Sequence, residues 1–110
     1  MTDSTSYRLY DAPFPGTRAS RVRWMLEEVG APYERVLVDP GKREHKQPAY
    51  LAVHPHGVLP ALDEGGALRI ESAAMCMHLA DRFPERGLAP PPGTAARAEW
   101  YQWIVYAAAT

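Results

Sequence analysis

His54-Pro55-His56-Gly57-Val58-Leu59-Pro60-Ala61-Leu62, followed after one turn by Leu68-Arg69-Ile70-Glu71-Ser72-Ala73-Ala74, is the stretch that decides the fold. Two short apolar strands flank a Glu-Gly-Gly turn at Glu64, Gly65 and Gly66. Pro60 stands at the start of the first strand. Proline cannot donate to a ladder, so it belongs at a strand start or on an edge. The second strand runs directly into a helix, with Ser72 at the junction, where a hydroxyl makes a good N-cap. The first N–H groups of a helix are unpaired and the positive end of its dipole lies there, so such a terminus attracts anions. This unit predicts an exposed strand end beside a receptor for a carboxylate.

The preceding residues supply a frame. Tyr7-Arg8-Leu9-Tyr10 alternates as a short strand, and 11–17 holds two prolines and a glycine and reads as a loop. Val22, Met25, Leu26 and Val29 recur at i, i+3, i+4 and i+7, which predicts a helix from Thr17 or Ala19 to Val29. Gly30 and then Pro32 stop it. Tyr33-Glu34-Arg35-Val36-Leu37-Val38 is a second strand. Strand, helix and strand at this spacing make a βαβ unit with parallel strands and a right-handed crossover. Residues 39–47 are polar and basic, and 48–53 forms a short helix with Pro48 at its first position. Strands at 61–63 and 68–70 are joined tightly and should be antiparallel. A helix at 72–83 presents Cys76, Leu79, Ala80 and Phe83 as its apolar face, and Pro84 ends it.

The stretch 85–93, with Pro90-Pro91-Pro92, is a stiff linker. It divides a domain at 1–86 from a segment at 87–110. That segment continues as a helix from Thr94, its cap, to Thr110, and carries Trp100, Tyr101, Trp103, Ile104 and Tyr106. These are too many aromatics for a helix in free solvent, so a second domain or another chain is expected to cover them.

The 110 residues suit one domain with its own core, and the 46% hydrophobic and 23% charged content is ordinary for a globular protein. The net charge of -1 gives no pull toward nucleic acid or membrane. No apolar run reaches a membrane-spanning length, and residues 1–6 are polar, without the apolar core of a signal peptide. A cytoplasmic location is expected. One cysteine, Cys76, excludes an internal disulfide, a CxxC pair and a cysteine-rich zinc site. On its helix face it reads as a small buried hydrophobe. His54, His56 and His78 lack metal-ligand spacing. Arg18, Arg21 and Arg23 read as solvated or ion-paired.

Taken together, Ser20 to Gly30, Pro32-Tyr33-Glu34, Tyr50-Leu51, His54 to Leu62 and Glu71-Ser72-Ala73-Ala74 resemble the N-terminal, thioredoxin-like domain of the cytosolic glutathione transferases. Residues from Arg97-Ala98 to Tyr106 are similar to the start of that family's helical second domain. The resemblance implies an α/β fold, β-α-β-α-β-β-α with a mixed four-stranded sheet, followed by the first helix of an all-α domain. It implies that Pro60 is cis, against about one in twenty for X–Pro bonds at large. That geometry would leave the N–H and C=O of Leu59, beside Val58, to pair with glutathione's cysteinyl backbone like an added strand. By the same resemblance Ser72 receives the γ-glutamyl carboxylate and Glu71 orients that group. Lys46, among Lys42, His45 and Gln47, meets the glycine carboxylate.

Catalysis in such a protein means lowering the glutathione thiol pKa from about 8.5. Its donor lies in the loop after the first strand, where this chain has neither tyrosine nor cysteine. Thr17 and Ser20 are the hydroxyls there, Thr17 alternatively as a plain helix cap, and Arg18 could supply positive charge instead. The expected function is glutathione binding and, with a helical domain, transfer to a small electrophile in a homodimer. The 110 residues alone are expected to conjugate weakly or not at all. A non-catalytic assembly module is an alternative, and so is a glutathione-dependent isomerase or dehalogenase.

Overall fold

A computed structural model of the chain describes residues 5–109. The strands are β1 (Tyr7–Asp11), β2 (Tyr33–Leu37), β3 (Ala61–Glu64) and β4 (Ala67–Arg69). The helices are α1 (Ala19–Val29), α2 (Pro48–Leu51), α3 (Ser72–Arg82) and α4 (Ala95–Ala109). Together they form one mixed four-stranded sheet in the order β2-β1-β3-β4. β1 runs parallel to β2 and antiparallel to β3, and β3 and β4 form a hairpin. This is the α/β arrangement that the β-α-β and β-β-α spacing predicts. Gly65 and Gly66 alone link β3 to β4, both with positive φ, as a tight hairpin turn requires. Position 110, the expected last residue of the final helix, and positions 1–4 of the polar leader lie outside the described residues.

The sheet buries both faces. Tyr7 and Leu9 of β1 and Leu62 of β3 meet Val22, Leu26 and Val29 of α1 and Met75 and Leu79 of α3. On the opposite side Tyr10 and Ala61 join Val38, Tyr50 and Val53. Leu9 and Tyr10 thus point to opposite faces, as successive strand residues must. Gly30 ends α1 in the left-handed conformation, φ 71°, and returns its N–H to Glu27 and Leu26 carbonyls. The 39–47 stretch forms two short 3-10 turns, Pro40–Lys42 and Glu44–Lys46, rather than an open loop.

Two details of α3 differ from the sequence reading. Its buried centre is Met75 with Leu79 and Ala80, while Cys76 is only half-buried at the edge. The helix is rotated so that the flexible Met75 side chain, not the smaller Cys76, fills the space against the sheet. Burial pushes the Cys76 thiol up, and its Sγ sits 3.7 Å from the Arg21 carbonyl. Second, Glu71 rather than Ser72 is the N-cap: the Glu71 carbonyl accepts the first helical bond from Met75 N–H, at 3.0 Å. Ser72 is the first helical residue.

Glu64 gathers the far edge. Arg69 and His78 lie 3.0 and 2.9 Å from its carboxylate, and Arg82 3.7 Å. Burial pushes this carboxyl up, but hydrogen bonds from His78 and Arg69 outweigh it and hold it below the usual carboxylate range. α4 is joined to α3 through Arg97, which is 6% exposed. Its guanidinium meets both Asp81 carboxylate oxygens at 3.0–3.1 Å and the Pro90 carbonyl at 2.9 Å, and lies 4.3 Å from the Trp100 ring centroid. The Thr94 hydroxyl caps α4, accepting from Arg97 N–H at 3.1 Å. Beyond Arg97 the helix leaves Tyr101, Trp103, Val105 and Tyr106 exposed. Among the described residues no helix is long and apolar enough to cross a membrane.

The α1–α3 seam sets the stability of this frame. Leu79→Ala, at a fully buried position in that seam, is expected to lower unfolding free energy by about 2–5 kcal/mol in urea denaturation.

Candidate functional site

The chain between α2 and β3 is held by side chains as much as by its backbone. Val53 and His54 N–H groups both donate to the Tyr50 carbonyl, at 2.8 and 2.9 Å, and Gly57 N–H donates to the His54 carbonyl. The Tyr50 hydroxyl donates to the Val58 carbonyl at 2.7 Å, and Lys46 Nζ donates to the His56 carbonyl at 3.1 Å. His56 N–H donates to His54 Nδ1 at 3.1 Å. Gly57 has φ +59°, and a Cβ there would lie 2.5 Å from the His45 carbonyl oxygen. Only glycine fits that approach.

These contacts deliver Leu59 to the edge of the sheet. The Leu59–Pro60 peptide is cis. Among the described residues, the N–H and C=O of Leu59 have no backbone partner. A pocket of about 300 Å³ opens beside this edge, lined by Arg18, His54, Val58, Leu59, Pro60, Glu71 and Ser72. It brings together Val58, Leu59, Pro60, Glu71 and Ser72, the residues that the sequence marked at the strand end and the helix start. Glu71 takes φ +74°, sparsely populated for a non-glycine residue. Ser72 is 6% exposed and stands at the amino end of α3, where unpaired N–H groups and the helix dipole favour an anion.

The other candidates lie elsewhere. Lys46 is not in the pocket lining; its ammonium is engaged with the loop at His56. The Thr17 hydroxyl is buried without a hydrogen-bond partner, so it neither caps α1 nor lines the pocket. Ser20 lines a separate hollow with Asp11, Phe14, Arg23 and Trp24. Arg18, the charged neighbour of Thr17, does reach the pocket. His54 is the residue that the sequence reading passed over. It was weighed only as a metal ligand, yet it is 3% exposed and lines the pocket. Its place directly before Pro55-His56-Gly57 was the available signal. Burial, with His56 beside it, pushes the His54 pKa below the usual value, while the Glu71 charge works the other way. Among the described residues no group of three His, Cys, Asp or Glu side chains is arranged to hold a metal ion.

A family model described as the glutathione S-transferase N-terminal domain matches residues 9–87. Glutathione S-transferase 3 of Zea mays is 35% identical over 97 residues, which are 88% of this chain and 43% of that protein. A maleylpyruvate isomerase of Ralstonia sp. is 37% identical over 83 residues, 76% of this chain and 39% of the relative. Among solved structures, a glutathione transferase homologue from Sulfitobacter with bound glutathione superposes at TM-score 0.86. It shares 35% identity over 96% of this chain and 50% of its own. The chain thus spans about half the length of these relatives, or less.

The approach at Gly57 can be probed directly. Gly57→Ala adds a Cβ in a left-handed conformation against a backbone oxygen, and is expected to lower unfolding free energy by more than about 2 kcal/mol in thermal or urea melts.

Proposed function

Because this chain belongs to the glutathione S-transferase family and carries its N-terminal domain over residues 9–87, we propose that it binds glutathione in the pocket between Leu59 and Ser72. The observation that carries this reading is the meeting of an unpaired strand edge and a helix amino end in one pocket. Glutathione is a short peptide with a carboxylate at each end. Its cysteinyl backbone pairs with the N–H and C=O of Leu59, next to Val58 and Pro60, as an added strand. Its γ-glutamyl carboxylate takes the Ser72 hydroxyl and the free N–H groups of α3, and Glu71 faces the γ-glutamyl ammonium. Lys46, whose ammonium keeps N–H groups beyond the one given to the His56 carbonyl, meets the glycine carboxylate.

Chemistry needs the thiolate. Of the three groups proposed from sequence, Arg18 has the support of lining the pocket, while Thr17 points its hydroxyl into the protein and Ser20 faces another hollow. A guanidinium near the sulfur favours the anion and lowers the thiol pKa below about 8.5. The thiolate then attacks an electrophilic carbon, forming the S–C bond as the leaving group departs or the electrophile's electron pair is displaced.

In the whole protein this becomes transfer of glutathione to a small electrophile, in the cytoplasm and as a homodimer. Residues 1–86 form the glutathione-binding domain, and 87–110 hold a proline-rich linker and the first helix of a helical domain. The exposed Trp103 and Tyr106 support a covering partner for α4. The 37% identity to a maleylpyruvate isomerase favours a second reading, in which glutathione serves as cofactor for isomerisation.

Calorimetric titration with glutathione should show saturable binding by the 110-residue chain, weakened about tenfold or more in Ser72→Ala. A folded chain that shows no saturable binding would favour a non-catalytic assembly module instead. Arg18→Gln should raise the pKa of the bound thiol, read from thiolate absorbance against pH. An unchanged pKa would remove Arg18 from that role.

A further inference from the structure

We propose that His54 is a further ligand-contacting residue of the pocket, its Nε2–H donating to the γ-glutamyl carboxylate of glutathione; this rests on the glutathione-binding reading above. His54 is 3% exposed, so its ring is held rather than mobile. Its plane is nearly parallel to that of Tyr50, at 25° with centroids 6.3 Å apart, and the His56 ring packs edge-on at 6.1 Å. Nδ1 accepts the His56 N–H at 3.1 Å. A ring nitrogen that accepts carries no hydrogen, so the single proton of the neutral ring sits on Nε2. Among the described residues Nε2 has no partner, although the ring lines the pocket. An N–H on the pocket wall that no protein group accepts is open to a ligand acceptor.

The carboxylate end of glutathione is the acceptor that the surroundings select. His54 lies within electrostatic reach of Glu71, the residue that precedes the α3 amino end. A carboxylate seated there has two oxygens, and Ser72 with the α3 N–H groups approaches from the helix side. Glu71, when ionised, can only accept. Arg18 is solvent-exposed, whereas His54 supplies its donor from within the pocket wall. Burial and then the neighbouring His56 push the ring pKa down and favour the neutral form, which donates from Nε2, while the Glu71 charge works the other way.

The two ring nitrogens can be separated by substitution. His54→Asn places an amide oxygen near Nδ1, keeping an acceptor for the His56 N–H, and removes the donor at Nε2. His54→Gln reaches further and restores a donor near Nε2. The parent chain and both variants are titrated calorimetrically with glutathione and with 4-aminobutanoyl-Cys-Gly, which keeps the amine and lacks the carboxylate. Circular dichroism verifies that each variant is folded. The proposal expects His54→Asn to weaken glutathione binding about tenfold or more, His54→Gln to recover part of that loss, and neither to change binding of the decarboxylated peptide. Parent-like glutathione binding by His54→Asn would overturn it. So would equal weakening for both peptides, which marks a structural role for His54. A parent chain that binds neither peptide would overturn the glutathione reading itself, and this inference with it.

Discussion

The hydrogen bond from the Tyr50 hydroxyl to the Val58 carbonyl, 2.7 Å long, holds the chain at the place where the sheet is left open. Tyr50 is 4% exposed and its ring belongs to the smaller core beneath α2, with Val38 and Ala61. Burial pushes the ionisation of its phenol far up, so it remains a donor at any physiological pH. With Val58 held on this hydroxyl, the next residue, Leu59, packs its side chain against the same small core, and among the described residues its N–H and C=O have no backbone partner. The edge is therefore presented by a side chain anchored in a core, which gives it a fixed position that a free loop would lack.

The other half of the pocket is placed by hydrophobic burial. α3 begins where it does because Met75 and Leu79 must cover Leu9 and Leu62 alongside α1. Its amino end, with Ser72 and the strained Glu71, is brought to the Leu59 edge by that packing. The antiparallel β3–β4 hairpin joins the two halves through a two-residue turn, so their separation is set by a short, stiff piece of sheet. Affinity for a small peptide would then come from groups that are ordered before the ligand arrives, which reduces the entropy lost on binding.

Much of this was legible in the residues. The alternation in β1, the 3.6-residue period of α1 and the Gly65-Gly66 turn each have a local cause, and each element formed where that cause lay. The placement of Pro60 at a strand start and of Ser72 at a helix start was legible for the same reason, since local chemistry defines both; Val58, Leu59 and Glu71 were marked by the family resemblance. The rotation of α3 toward Met75 was not legible. It depends on which side chain fills the volume left by α1 and the sheet, and a periodic face of four residues over two turns, Cys76, Leu79, Ala80 and Phe83, cannot express that. The loop at 12–18 was equally opaque. The burial of the Thr17 hydroxyl and the turning of Ser20 toward Phe14 and Trp24 follow from how two prolines and Gly16 route the chain, and spacing alone carries no such information. His54 escaped because histidine invites a search for metals, whereas here its meaning lies in which of its nitrogens a neighbouring backbone N–H occupies.

Arg97 has a bearing on how this chain can vary over generations. A planar guanidinium offers donors in fixed directions and a flat face for stacking, and lysine reproduces neither. At this seam those directions are matched by Asp81 on α3 and the Pro90 carbonyl in the linker, and the face is matched by Trp100 and Tyr101 on α4. Loss of Asp81 would leave the buried Arg97 guanidinium without its carboxylate partner, and loss of Trp100 or Tyr101 would remove the rings that cover its face. Arg97 and Asp81 are therefore expected to change together rather than singly.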